Sequence, residues 1–118
     1  MITLYGIPNC DTVKRARQRL DAGNIQYRFH DFRRDGLEPA LAQHWLQQLG
    51  ADTVLNRRGT SWRALPDADK TDLDTARASA LIVAHPSIVK RPVFDRDGAL
   101  RVGFAKGEED AVLAWLKG

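Results

Sequence analysis

Tyr5-Gly6-Ile7-Pro8-Asn9-Cys10-Asp11-Thr12 joins a strand-like run to a helix-like one. Ile2, Leu4 and Ile7 supply apolar positions before the thiol, and Val13, Ala16 and Leu20 recur at helical spacing after it. Pro8 and Asn9 are turn residues, and Asn9 or Asp11 is a candidate helix cap. Cys10, the only cysteine, therefore stands at a strand-to-helix turn, at or near a helix N-terminus. Free N–H groups and the positive end of the helix dipole favour an anion there, and the thiolate is the nucleophilic form of cysteine. Two readings stand side by side. One is a reactive thiol; the other is a small buried core residue, the commoner role of a lone cysteine.

Outward from that stretch, residues 2–5 read as a first strand and residues 11–22 as a helix ended by Gly23-Asn24. Residues 25–32 alternate strictly and read as a second strand. Strand, helix and strand in this order form a βαβ unit with parallel strands and a right-handed crossover. Residues 33–36 read as a turn. Leu37-Glu38-Pro39 opens a second helix, along which Leu41, Trp45 and Leu49 recur until Gly50. Residues 55–65 break the periodicity and carry Arg57, Arg58 and Arg63. Asp74 is the expected N-cap of a third helix over 75–84, with Ala76, Ala80 and Val83 inward, and His85-Pro86 ends it. Pro92 opens a strand at 93–95, Asp95-Arg96-Asp97-Gly98 turns a hairpin, and 99–104 is the return strand. Residues 108–117 read as the last helix, acidic at its start and basic at its end.

A parallel βαβ half followed by an antiparallel ββα half is the thioredoxin-like order. The expected fold is α/β, a four-stranded mixed sheet with an inserted helical lobe. One domain is expected, with its core in residues 1–36 and 86–118 and its insert in 37–85. In this order the first strand-to-helix turn is where a reactive cysteine sits.

The composition sets bounds. At 118 residues, 43% hydrophobic and 28% charged, the chain has the make-up of a single globular domain. No apolar run is long enough to span a membrane. Met1-Ile2-Thr3-Leu4-Tyr5 lacks the basic and apolar regions of a signal peptide and reads as a strand. The net charge of +3 is spread along the chain rather than gathered into a stripe, which argues against nucleic-acid binding. One cysteine excludes an internal disulfide and a multi-cysteine zinc site, and a free thiol points to the cytoplasm. His30, His44 and His85 share no ligand spacing and read as structural, so no metal is expected. Trp45, Trp62 and Trp115 read as packing residues.

Three blocks carry a resemblance: residues 5–14, residues 56–62 (Asn56-Arg57-Arg58-Gly59-Thr60-Ser61-Trp62), and residues 85–93 (His85-Pro86-Ser87-Ile88-Val89-Lys90-Arg91-Pro92-Val93). In these the chain resembles the ArsC-type arsenate reductase family, in its small YffB branch, with Spx-type transcription regulators as cousins. The resemblance implies that Cys10 is the attacking thiol and that Thr12 lies beside it, as a cap or as a donor to the sulfur. It implies that Arg91 is the arginine preceding the family's cis-proline, Pro92. A gapless match sets Asn56 where a second arginine belongs, with Arg57 and Arg58 adjacent, and one of those two is expected to serve the site. Phe104 stands where a third arginine belongs, and Gly6 replaces a histidine.

The implied activity is a glutathione-dependent thiol oxidoreductase with a single nucleophile. Glutathione is the expected co-substrate, glutaredoxin a possible partner, and no cofactor is expected to be bound. Val13, three residues after Cys10, leaves no Cys-x-x-Cys pair, so a second thiol must come from outside. The alternatives are arsenate reduction coupled to glutathione and glutaredoxin, expected to be feeble without the missing guanidinium forks, and a non-enzymatic Spx-like module that binds RNA polymerase.

Overall fold

The period-two runs pair into one sheet. In a computed structural model that describes residues 1–118, four strands form it: β1 (Ile2–Gly6), β2 (Tyr27–Asp31), β3 (Val93–Arg96) and β4 (Ala99–Val102). Their order is β2-β1-β3-β4. β1 runs parallel to β2, from Ile2 opposite Tyr27 to Gly6 opposite Asp31. It runs antiparallel to β3, with Leu4 opposite Phe94 and Tyr5 opposite Val93. β3 and β4 form an antiparallel hairpin. This is the mixed, thioredoxin-like sheet expected from the element order.

The chain divides into two compact units, residues 1–34 with 91–118 and residues 35–90. In the first unit, helices α1 (Asp11–Ala22) and α7 (Glu109–Lys117) share a core with the sheet. Val13, Ala16 and Leu20 from α1 meet Leu4, Phe94 and Phe104, and Val112 and Leu116 come from α7. The α1 face is the one its spacing predicts. Fully burying side chains of this size stabilises a fold by roughly 1.5–3 kcal/mol each, which is what makes helical periodicity decide packing.

The second unit is helical: α3 (Pro39–Leu49), α4 (Ala51–Val54), α5 (Thr60–Arg63) and α6 (Thr75–Ala84). Pro39 takes the first turn of α3, as expected. The Asp74 side chain accepts a hydrogen bond from the Arg77 N–H at 2.8 Å, as its predicted cap role requires. Other details differ from the sequence reading. Residues 32–35 form a helical turn, α2 (Phe32–Asp35), where a non-helical turn over 33–36 was expected. Phe32 is buried and anchors it. α3 buries Ala42, Trp45 and Leu46, with Leu41 and Leu49 at its flanks. α6 buries Ala78, Ser79 and Ile82 and leaves Ala76 and Ala80 exposed. Alanine at four of its ten positions, spread around the helix, leaves its faces weakly distinguished by pattern. Ile82, the one large side chain that it fully buries, and the Ser79 hydroxyl, which donates to the Pro39 carbonyl at 3.3 Å, mark its inward face. The aperiodic stretch after α3 resolves into α4, α5 and an isolated bridge between Leu55 and Val89.

Candidate active site

β1 releases the chain at Gly6, and four residues later Cys10 stands immediately before α1. The Cys10 N–H donates to the Ile7 carbonyl at 3.3 Å, closing the turn. Its backbone is extended (φ −89°, ψ 124°), and its carbonyl accepts the N–H of Lys14 at 2.9 Å. Cys10 is thus the N-cap residue itself, and no side-chain capping bond is made there. That corrects the expected capping by Asn9, Asp11 or Thr12. Asp11 and Thr12 already lie inside the helix at its first two positions, and Asn9 lies outside it. The first-turn N–H groups, which a Ser or Asp cap would occupy, carry no side-chain cap at Cys10. The thiol is half-buried against the core of the first unit, so both readings of this cysteine meet in one residue.

Gly6 explains how the turn comes so close. A Cβ at this position would lie 2.7 Å from Val13 Cγ2. Any side chain there, histidine included, would push α1 off the strand end.

The antiparallel pairing of β1 with β3 supplies the other side of the site. Tyr5 opposite Val93 sets Arg91-Pro92 at the sheet end where β1 gives way to the cysteine turn. The Arg91–Pro92 peptide bond is cis, as predicted. Pro92 is buried, and its carbonyl accepts the Gly103 N–H at 2.8 Å. Arg91 is half-buried. The first unit therefore gathers Cys10, Thr12, Arg91 and Pro92 at one end of its sheet.

Arg57 and Arg58 belong to the second unit. Both are exposed, on the turn between α4 and α5. The Arg57 guanidinium donates to Asp52 and lies 5.7 Å from the Trp62 ring. The Arg58 carbonyl accepts two bonds from Arg63 at 3.2 and 2.5 Å, while its guanidinium stays in solvent. Asn56 is a turn-former. Its N–H donates to the Ile88 carbonyl at 2.7 Å, its carbonyl accepts from Gly59, and a Cβ at Gly59 would come within 2.8 Å of its side-chain nitrogen.

Phe104 is buried in the core and supplies only its backbone carbonyl as a polar group, which accepts a bond from Arg15. Arg15 and Arg19 both hold Glu109, at 2.8 and 2.5 Å, and Arg19 also holds Asp110 at 2.7 Å. On the sequence alone these arginines read as solvated charges on the sides of α1 away from Val13, Ala16 and Leu20. Their four-residue spacing, matched against the acidic start of the last helix, is the signal that could have found the network.

Behind the cysteine turn, the rings of Tyr5 and His30 lie 4.9 Å apart. Burial, and then the Asp95 carboxylate, push the Tyr5 pKa upward against the opposing effect of Arg28, so Tyr5 stays a neutral phenol. No group of His, Cys, Asp and Glu is arranged to hold a metal ion, and no helix is long and apolar enough to cross a membrane.

A model of the ArsC family matches residues 5–112. Among solved structures, the YffB protein is 44% identical with a TM-score of 0.90, the match covering 98% of this chain and 99% of that one. An arsenate reductase (ArsC) related protein from Brucella melitensis is 43% identical with a TM-score of 0.78, covering 95% and 93%. The global transcriptional regulator Spx of Streptococcus pneumoniae is 25% identical over 118 residues, which is 98% of this chain and 86% of the regulator.

Proposed function

The chain belongs to the ArsC family, and from that footing we propose that it is a glutathione-dependent thiol oxidoreductase whose single nucleophile is Cys10. The observation that carries the reading is the lone thiol at the N-cap of α1, at the sheet end to which β3 brings Arg91 and the cis Pro92. A thiolate there meets the N–H groups and partial positive charge of the helix start.

The cycle balances with one protein thiol. The Cys10 thiolate attacks a sulfur of a disulfide substrate; a Cys10 mixed disulfide forms and one substrate thiolate leaves. A glutathione thiolate then attacks at Cys10, freeing the second substrate thiol and leaving Cys10 joined to glutathione. A second glutathione, or the thiol of a glutaredoxin, takes the glutathionyl group and restores the Cys10 thiolate. The substrate gains two electrons and two glutathiones become one disulfide. Arg91 orients a carboxylate of the tripeptide, since a guanidinium fork binds a carboxylate in two-point fashion; in the helical unit, Arg57 or Arg58 is by resemblance a donor to an anion. Thr12, in the first turn of α1, is by resemblance the hydroxyl that serves the sulfur.

The test is turnover of a small mixed disulfide with glutathione, glutathione reductase and NADPH. The wild-type chain gives turnover and Cys10→Ser none. Equal rates for the two sink the proposal. Arsenate in place of the disulfide, with glutathione and glutaredoxin, is expected to give feeble turnover, because Asn56 and Phe104 offer no guanidinium.

A second reading has one observation in its favour: similarity to a transcriptional regulator along 98% of the chain. On that reading the chain is a non-enzymatic module that docks on RNA polymerase. Capture of RNA polymerase from lysate equally by the wild-type chain and by Cys10→Ser, with no disulfide turnover, favours it.

A further inference from the structure

In the helical unit two cations are gathered on one acidic residue. The Arg57 guanidinium donates to the Asp52 carboxylate, and Lys90 Nζ donates to the Asp52 backbone carbonyl at 3.3 Å. The backbone around them is built. The Lys90 N–H bonds the Val54 carbonyl at 2.8 Å, the Asn56 N–H bonds the Ile88 carbonyl at 2.7 Å, and Leu55 bridges Val89. Beneath the Arg57 guanidinium lies the Trp62 ring, which is buried. The Asp52 carboxylate differs from all of these. It is 91% exposed, and Arg57 is the side chain that holds it.

We propose that Asp52 is a specificity-determining residue: an internal carboxylate that occupies the Arg57 guanidinium until an anionic ligand displaces it. This rests on the reading of Arg57 as a donor to the anionic partner. A guanidinium fork takes a carboxylate or a tetrahedral oxyanion through two oxygens, and Asp52 Oδ1 already takes Nη1, one of the donors such a ligand would use. An exposed ion pair is weak enough to exchange. The hydrogen bond from Arg57, and then its charge, hold the Asp52 carboxyl below the ordinary carboxylate range, so the competitor is ionised at neutral pH. A neutral ligand has nothing with which to displace it. A monocarboxylate exchanges one like group for another. A doubly charged oxyanion, or a ligand that also engages Arg58, replaces it with gain.

The experiment is calorimetric titration with sodium sulfate at constant ionic strength and pH 7, where sulfate is a dianion. It uses the whole chain as wild type, Asp52→Asn, Arg57→Ala, the double variant and Arg57→Ala/Arg58→Ala. All the altered positions are exposed, and circular dichroism confirms folding. The expected result is sulfate binding about two- to five-fold tighter in Asp52→Asn than in wild type, a range set by exposed ion-pair strengths. That gain is absent when Arg57 is alanine. Unchanged or weaker binding in Asp52→Asn overturns the inference, as does a gain that persists without Arg57. Sulfate binding that is unaffected by loss of Arg57 and Arg58, or undetectable in every variant, overturns the reading of that pair as anion donors as well.

Discussion

Arg91 and Arg57 would serve the same kind of ligand from different settings. Arg91 is half-buried beside a cis-proline, where its position is set by the start of β3. Arg57 is exposed and held by Asp52. Charge-assisted hydrogen bonds contribute about 1.5–3 kcal/mol in partly buried settings and exposed pairs much less. Arg91→Ala is therefore expected to slow glutathionylation of Cys10 roughly ten- to a hundred-fold. Arg91→Lys recovers part of that rate, through charge without the planar fork. Stopped-flow measurement of the bimolecular rate checks both; an unchanged rate in Arg91→Ala removes Arg91 from the site. A second residue-scale effect concerns Asp97, whose carboxylate accepts from the Met1 amine at 2.5 Å. That bond, and then the amine's charge, lower the Asp97 pKa. A carboxyl depressed in the folded state stabilises above its unfolded value, and the contribution is lost as pH falls through the folded one. Thermal melts from neutral to acid pH should therefore show wild type losing an increment that Asp97→Asn lacks throughout. Parallel curves for the two would contradict it.

Two contacts hold α1 in place, one against the end of β1 and one against α7. Val13 lies against Gly6, so Gly6→Ala forces a Cβ into Val13 Cγ2. Overpacking of this kind costs about 1–3 kcal/mol, and Val13→Ala in the same chain should recover most of it. Denaturant melts of the single and double variants measure this, and a Gly6→Ala chain as stable as wild type would show that α1 can move aside. The Arg15–Glu109–Arg19 network ties α1 to α7, with the Glu109 side chain 17% exposed. Glu109→Gln is expected to lower stability by on the order of 1 kcal/mol, read as a lower melting temperature with disulfide turnover retained. α1 was legible because three large or small apolar residues mark one stripe on an otherwise charged helix. The faces of α3 and α6 were not, because leucine and alanine recur on several sides of each helix and packing, not pattern, chooses among them. Cys10 was legible as a helix-start residue. Its place as the cap itself was not, because Asn9 and Asp11 are better cappers by type and the choice rests on where the turn closes.

At the scale of the whole molecule, the βαβ and ββα halves are separated by more than fifty residues of helical chain and still build one sheet. Local signals sufficed to predict it, since the hairpin turn, the alternating strand and the helix stops are each encoded within a few residues. The candidate anion donors fall in different units, Arg91 in one and Arg57 with Arg58 in the other. The first follows from its place before Pro92. For the second pair, Asn56 interrupts the motif, and residue identity alone does not say which neighbour is held by Asp52. Exchange of Cys10 alone with glutathione is read from the intact mass of the chain after incubation with oxidised glutathione. One glutathionyl adduct is expected on the wild type, mapped to Cys10 and removed by excess reduced glutathione, and it should form much more slowly in Arg91→Ala. An unmodified wild-type chain, or an adduct that forms as fast without Arg91, would contradict it.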